Sequence, residues 1–157
     1  MKESWKKGLI FGLTSGIITT LGMIVGLHSS TGSQIVIIGG ILAIAVADAF
    51  SDALGIHISE EAENKHSHNE IWEATIGTFA SKFFFACTFI VPIWFLPLET
   101  AIIVSIVYGL FMIGISNYVM ARAHNEKPVR IVSEHMAIAI AVIIITHFVG
   151  EFVATLG

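Results

Sequence analysis

Apolar and polar positions in this chain alternate in long blocks. Five apolar runs cover residues 8–27, 35–58, about 70–96, 100–121 and 131–156. A run of about 20 residues, wound at about 1.5 Å per residue, crosses the roughly 30 Å hydrocarbon layer of a bilayer. The intervening polar stretches are short: a head with Lys2, Lys6 and Lys7, a turn at 28–34, the polar stretch 59–69, a turn around Pro97 and Glu99, and a loop at 122–130. The pattern predicts an all-α polytopic membrane protein, a single five-helix transmembrane domain over residues 1–157. Residues 8–27 carry no charge, exceed the core of a signal peptide and lack a small-residue cleavage site, so they read as a retained span.

Five spans place the termini on opposite sides, and loop charge chooses which. The head, the 59–69 stretch (Lys65) and the 122–130 loop (Arg122, Lys127, Arg130) share one side, whereas the turns at 28–34 and 96–99 contain no Lys or Arg. The positive-inside rule makes the N-terminus cytoplasmic and the C-terminus external. Composition agrees with a membrane protein: 13% of residues are charged, against about 25% in soluble domains. The formal charge of −4 argues against nucleic acid as a partner. Cys87 is the single cysteine, which excludes an intrachain disulfide and suggests a packing role.

Charge inside the apolar runs carries the chemistry. Asp48 and Asp52 are four residues apart and lie on one face of the second span, about 15 and 9 Å from its cytoplasmic end. Such carboxylates need a partner, water or a cation. Hard oxygen ligands suit divalent ions, and two carboxylates close together raise one another's proton affinity, which serves proton coupling. The alternative is a structural ion pair with Lys82 of the third span, which can cancel one of the two charges; such a lysine can also act as a switch, releasing when metal or protons arrive. Glu60, Glu61, Glu63, His66 and His68, followed by Glu70 and Glu73, form either a metal-collecting mouth or an ordinary solvated stretch. His147 and Glu151, one turn apart, read as an exit site or proton relay, or as a pair satisfying each other. Gly8, Gly12 and Gly16 recur every four residues, as do Gly22 and Gly26, allowing close helix approach: either against another span of the same chain or along a homodimer axis. Met23, Met112 and Met120 read as packing, and Asn117 with Ser116 as a helix–helix hydrogen bond. Polar groups are thus spread along the membrane normal, as stepwise ligand exchange in a permeation path requires.

Residues 12–20 (Gly-Leu-Thr-Ser-Gly-Ile-Ile-Thr-Thr) with Val25-Gly26 resemble the first span of the vacuolar iron transporter family. Residues 38–43 and 47–59, through Ala47-Asp48-Ala49-Phe50-Ser51-Asp52-Ala53-Leu54-Gly55, are similar to its second span; the likeness is specific over roughly residues 8–60 and architectural beyond. The resemblance implies a homodimer whose first spans line the pore, exporting Fe2+ or Mn2+ from the cytoplasm in exchange for protons, with no permanently bound cofactor. Departures are visible. Ser15 stands before Gly16 where the family usually has Asp, Ser51-Asp52 replaces Ser-Met, Gly55-Ile56-His57 replaces Gly-Glu-Tyr, and the long metal-binding insert shrinks to 59–69. Asp48 matches an acidic residue of some members.

The expected metal contacts are therefore Asp48, Asp52 and Ser15 in the membrane, and Glu60, Glu63, His66, His68 and Glu73 at the cytoplasmic mouth. Lys82, His147 and Glu151 are the expected proton-coupling or ion-pair groups, and Gly8, Gly12 and Gly16 mark the dimer or pore helix. The expected host is a prokaryotic plasma membrane. Two other functions compete. A non-transporting scaffold gains little from buried charge, and a membrane metalloenzyme lacks a catalytic signature such as His-Glu-x-x-His.

Overall fold

The computed structural model describes residues 3–156; Met1, Lys2 and Gly157 lie outside the described residues, and with them the Lys2 of the loop-charge count. The described residues form six helices and no strand: α1 (Glu3–Thr31), α2 (Gln34–Glu63), α3 (His68–Thr88), α4 (Ile90–Phe95), α5 (Leu98–Ala123) and α6 (Pro128–Ala154). α3 and α4 together make one span, so five helical segments are long and apolar enough to cross a membrane. The protein is an integral, multi-pass membrane protein. The ends of the bundle are called here the N-terminal face, which carries Glu3 and the α2–α3 and α5–α6 connections, and the opposite face.

Helix ends differ from the expected boundaries for local reasons. α1 continues through the expected 28–34 turn to Thr31, because the Ser30 and Thr31 hydroxyls bond back to the Leu27 carbonyl and only Gly32, with φ of +57°, breaks the path. Most of the polar stretch 59–69 is also helical. Glu60, Glu61 and Glu63 extend α2, which ends at Asn64 in the left-handed region, and Ser67 with Glu70 forms a capping box that starts α3. The third span breaks at Phe89 because Pro92 has no N–H for the Thr88 carbonyl and its ring crowds that carbonyl. Thr88 Oγ1 instead lies 3.0 Å from Tyr108 Oη of α5, tying the kink to the next span.

α1 is the central helix and touches α2, α3, α5 and α6. Phe11 is its one exposed large apolar side chain among the described residues, whereas α2, α3, α5 and α6 present Phe50, Leu54, Phe84, Phe111, Phe148 and Phe152 outward, as lipid-facing helices do. The contact with α3 rests on the glycine stripe. A Cβ on Gly8 would run into the Ala74 carbonyl oxygen, one on Gly12 into that of Thr78, and one on Gly16 would lie 3.0 Å from Lys82 Cγ. The Gly8, Gly12 and Gly16 stripe is covered by α3 of the same chain, the intrachain contact that its spacing allows. Gly22 and Gly26 approach Val142 and Thr146 of α6 in the same manner. On α2, fully buried Ala45 and Ala49 and nearly buried Ala53 form a second small-residue stripe toward the interior.

Substitution of Gly12 by Val therefore forces α1 and α3 apart and is expected to destabilise the bundle by about 1–3 kcal/mol. Gly39→Ala, where nothing lies within 4 Å, should be silent. Thermal unfolding in detergent checks both, and equal effects would remove the close-approach explanation.

Candidate functional site

The α1–α3 contact delivers one charged side chain to the interior. Lys82 is 1% exposed, and its stem crosses α1 where Gly16 leaves room. Its ammonium meets three groups, two through hydrogen bonds (Ser15 and Asp52) and Asp48 as an ion-pair contact outside hydrogen-bond alignment. It donates to Ser15 Oγ at 2.9 Å, lies 2.6 Å from Asp48 Oδ2 and contacts Asp52 Oδ2. Ser15 Oγ in turn donates to Asp52 Oδ2 at 2.6 Å. Asp48 and Asp52 thus share one face of α2 and one counter-ion. Lys82 pairs with both carboxylates rather than with one, and the four residues carry one uncompensated negative charge.

A vestibule of about 940 Å³ leads to this cluster from the N-terminal face. It lies between α1, α5 and α6. Glu3, Lys6 and Lys7 stand at its mouth, and Thr14, Ser15, Ile18 and Asn117 line its deeper part. Ser15 belongs to both the vestibule and the Lys82 cluster, and so joins them. Asn117 does not make the expected helix–helix bond. Its Nδ2 donates at 2.8 Å to Ile113 O of its own helix, as Ser116 Oγ does at 3.1 Å.

The VIT family model matches residues 7–74, a little under half of the chain, and no curated protein matches it. Over that stretch the chain is similar to the VIT family. The vacuolar iron transporter match spans α1 from Lys7, all of α2 and the start of α3. It therefore contains Ser15, Asp48 and Asp52, while Lys82, which binds all three, lies beyond it.

The other expected residues fall into separate groups. Glu60 is buried on the last turns of α2, contacts Lys7 through Oε1 and has His66 Nε2 3.3 Å from Oε2, with Glu63 Oε2 4.0 Å from the same nitrogen. This group closes α1 onto α2 at the N-terminal face. His68 accepts from Trp72 Nε1 at 3.1 Å, and Glu73 is half-buried near the start of α3. Among the described residues, no three His, Cys, Asp or Glu side chains converge to hold a metal ion. His147 and Glu151 are exposed on α6, 3.4 Å apart, with Ser29 Oγ of α1 2.7 Å from His147 Nδ1. Ser29 follows Ser15 by 14 residues, about 21 Å along α1, so this pair belongs to the opposite face. Sequence reasoning missed the Lys7–Glu60 pair, the contact of His28 Nε2 with Glu99 Oε1 at 3.1 Å, and the vestibule. Each joins residues far apart in the chain, and only the tenancy of charged residues at helix ends hinted at them.

Removing Lys82 alone, as Lys82→Met, leaves two partly buried carboxylates facing each other and is expected to destabilise the protein by about 3–5 kcal/mol. The triple variant Lys82→Met/Asp48→Asn/Asp52→Asn removes all the charge together and should recover most of that loss. Thermal unfolding of the single, double and triple variants measures the coupling; additive effects would mean the groups act independently.

Proposed function

We propose that this protein transports divalent transition-metal ions, Fe2+ or Mn2+, out of the cytoplasm in exchange for protons, with Asp48 and Asp52 as the intramembrane site. The likeness of residues 7–74 to the VIT family supports metal-ion transport. The observation that carries the finer reading is the pairing of two carboxylates with one buried lysine, reached through Ser15 from a wide vestibule. A divalent ion neutralises the carboxylate pair fully, whereas Lys82 neutralises half of it. Metal arriving at Asp48 and Asp52 therefore has an electrostatic advantage over the ammonium it displaces, and protonation of the carboxylates weakens their hold on the metal. Lys82 is the resting-state occupant and Ser15, hydrogen-bonded to both sides, is the hinge of the exchange.

Loop charge supports a cytoplasmic N-terminal face, which makes the vestibule the loading side. The working unit is taken as a homodimer on the family resemblance, and its contact then uses a face other than the Gly8–Gly12–Gly16 stripe, which α3 covers. Glu60, Glu63 and His66 are placed to attract cations to the loading side, with Lys7 already bound to Glu60. His147 and Glu151 supply polar groups at the release side.

Uptake of Fe2+ and Mn2+ into sealed proteoliposomes with a pH gradient tests the reading. Asp48→Asn and Asp52→Asn should each lower flux by roughly tenfold or more, as loss of about 1.4 kcal/mol of ion stabilisation would. Wild-type protein that is folded yet moves neither ion would overturn it, as would full flux in both variants.

A further inference from the structure

Asn117 is 1% exposed, and its Oδ1 has no hydrogen-bond partner among the described residues. The amide orientation follows from its neighbour: Nδ2 must face the Ile113 carbonyl it donates to, at 2.8 Å, which leaves Oδ1 as the free end. A buried amide oxygen without a donor is costly, and Asn117 lines the vestibule. Thr14 Oγ1, also buried and also unpartnered, lines the same space. Here a helix threonine would ordinarily bond back to a carbonyl one turn earlier, as Thr19 does to Ser15 O.

The rest of the lining adds donors of another kind. His135 Nδ1 lies 2.9 Å from the Ile131 carbonyl, which can only accept, so Nδ1–H donates to it and Nε2 is the ring nitrogen left for a ligand. Ligand histidines are commonly oriented by such a bond. Met120 and His124 line the cavity as well.

We propose that the vestibule holds a metal station of its own, in which Asn117 Oδ1 and His135 Nε2 bind a divalent transition-metal ion before it reaches Asp48 and Asp52. The chemistry selects a cation. Asn117 Oδ1 is an acceptor only, and Ser15 at the cavity's edge belongs to a cluster with one excess formal negative charge, so the deeper wall favours a cation over an anion. The mixture of amide oxygen, imidazole and thioether suits the borderline metals better than Mg2+ or Ca2+. Lys6 and Lys7 at the mouth do not close it to cations, since Glu60 binds Lys7 and the Glu3 carboxylate lines the same mouth as Lys6. The station rests on the transport reading for its purpose but not for its existence.

Co2+ binding to the purified full-length protein in detergent, read by its visible absorption, is the test. The background is the charge-neutral Lys82→Met/Asp48→Asn/Asp52→Asn variant, in which the deeper site is removed. Saturable binding is expected there, weakened roughly tenfold or more by His135→Ala or Asn117→Leu. Asn117→Asp, which keeps the shape and adds charge, should tighten it by a similar factor and guards against a folding defect in Asn117→Leu. No saturable binding in this background, or binding unmoved by all three substitutions, would overturn the station. Flux without vestibule binding would leave transport standing and remove the station, whereas vestibule binding in a protein without flux would do the reverse.

Discussion

An ammonium group inside a helix bundle has to be met by groups that take its charge and its protons, and here that requirement organises the structure. Lys82 is satisfied only where α1 brings Ser15 and α2 brings Asp48 and Asp52 to one point. Three helices are thereby fixed in rotation as well as in distance, since a one-residue turn of any of them would carry its polar group away by about 100°. The glycines of α1 are the steric half of the same constraint. Without the close approach at Gly8, Gly12 and Gly16, the lysine stem could not cross to the far side of α1.

The same constraint explains why the cluster is poised rather than inert. One positive charge balances two negative ones, so the site retains an attraction for cations that a balanced ion pair would lack. Its two aspartates are about a quarter exposed, and Ser15 joins it to a cavity, open toward the N-terminal face, whose deeper wall contains acceptors without donors.

Much of this was legible in the chain. Five apolar runs specify five spans because the length needed to cross hydrocarbon is fixed by helix rise. The spacing of Asp48 and Asp52 places them together because residues four apart share a helix face. The small-residue repeats announce close contacts, although not with which helix. Boundaries were less legible: apolar composition stops near residue 58, but helix propensity and capping carry α2 to Glu63 through water-exposed turns, and Pro92 interrupts a span that hydropathy draws as continuous.

What the sequence by itself determined is the class of the protein, the number of its spans, the location of its acidic pair and the likeness of its first two spans to vacuolar iron transporters. Each follows from local composition or from spacing along one helix. Tertiary structure alone decided that Lys82 serves both aspartates, that the glycine stripe faces α3, that Asn117 bonds within its own helix and lines a cavity, and that Lys7 finds Glu60. Apart from the Asn117 bond, these are contacts between residues tens of positions apart. The rotation of each helix about its axis sets them, and that rotation is chosen by packing of all the helices together.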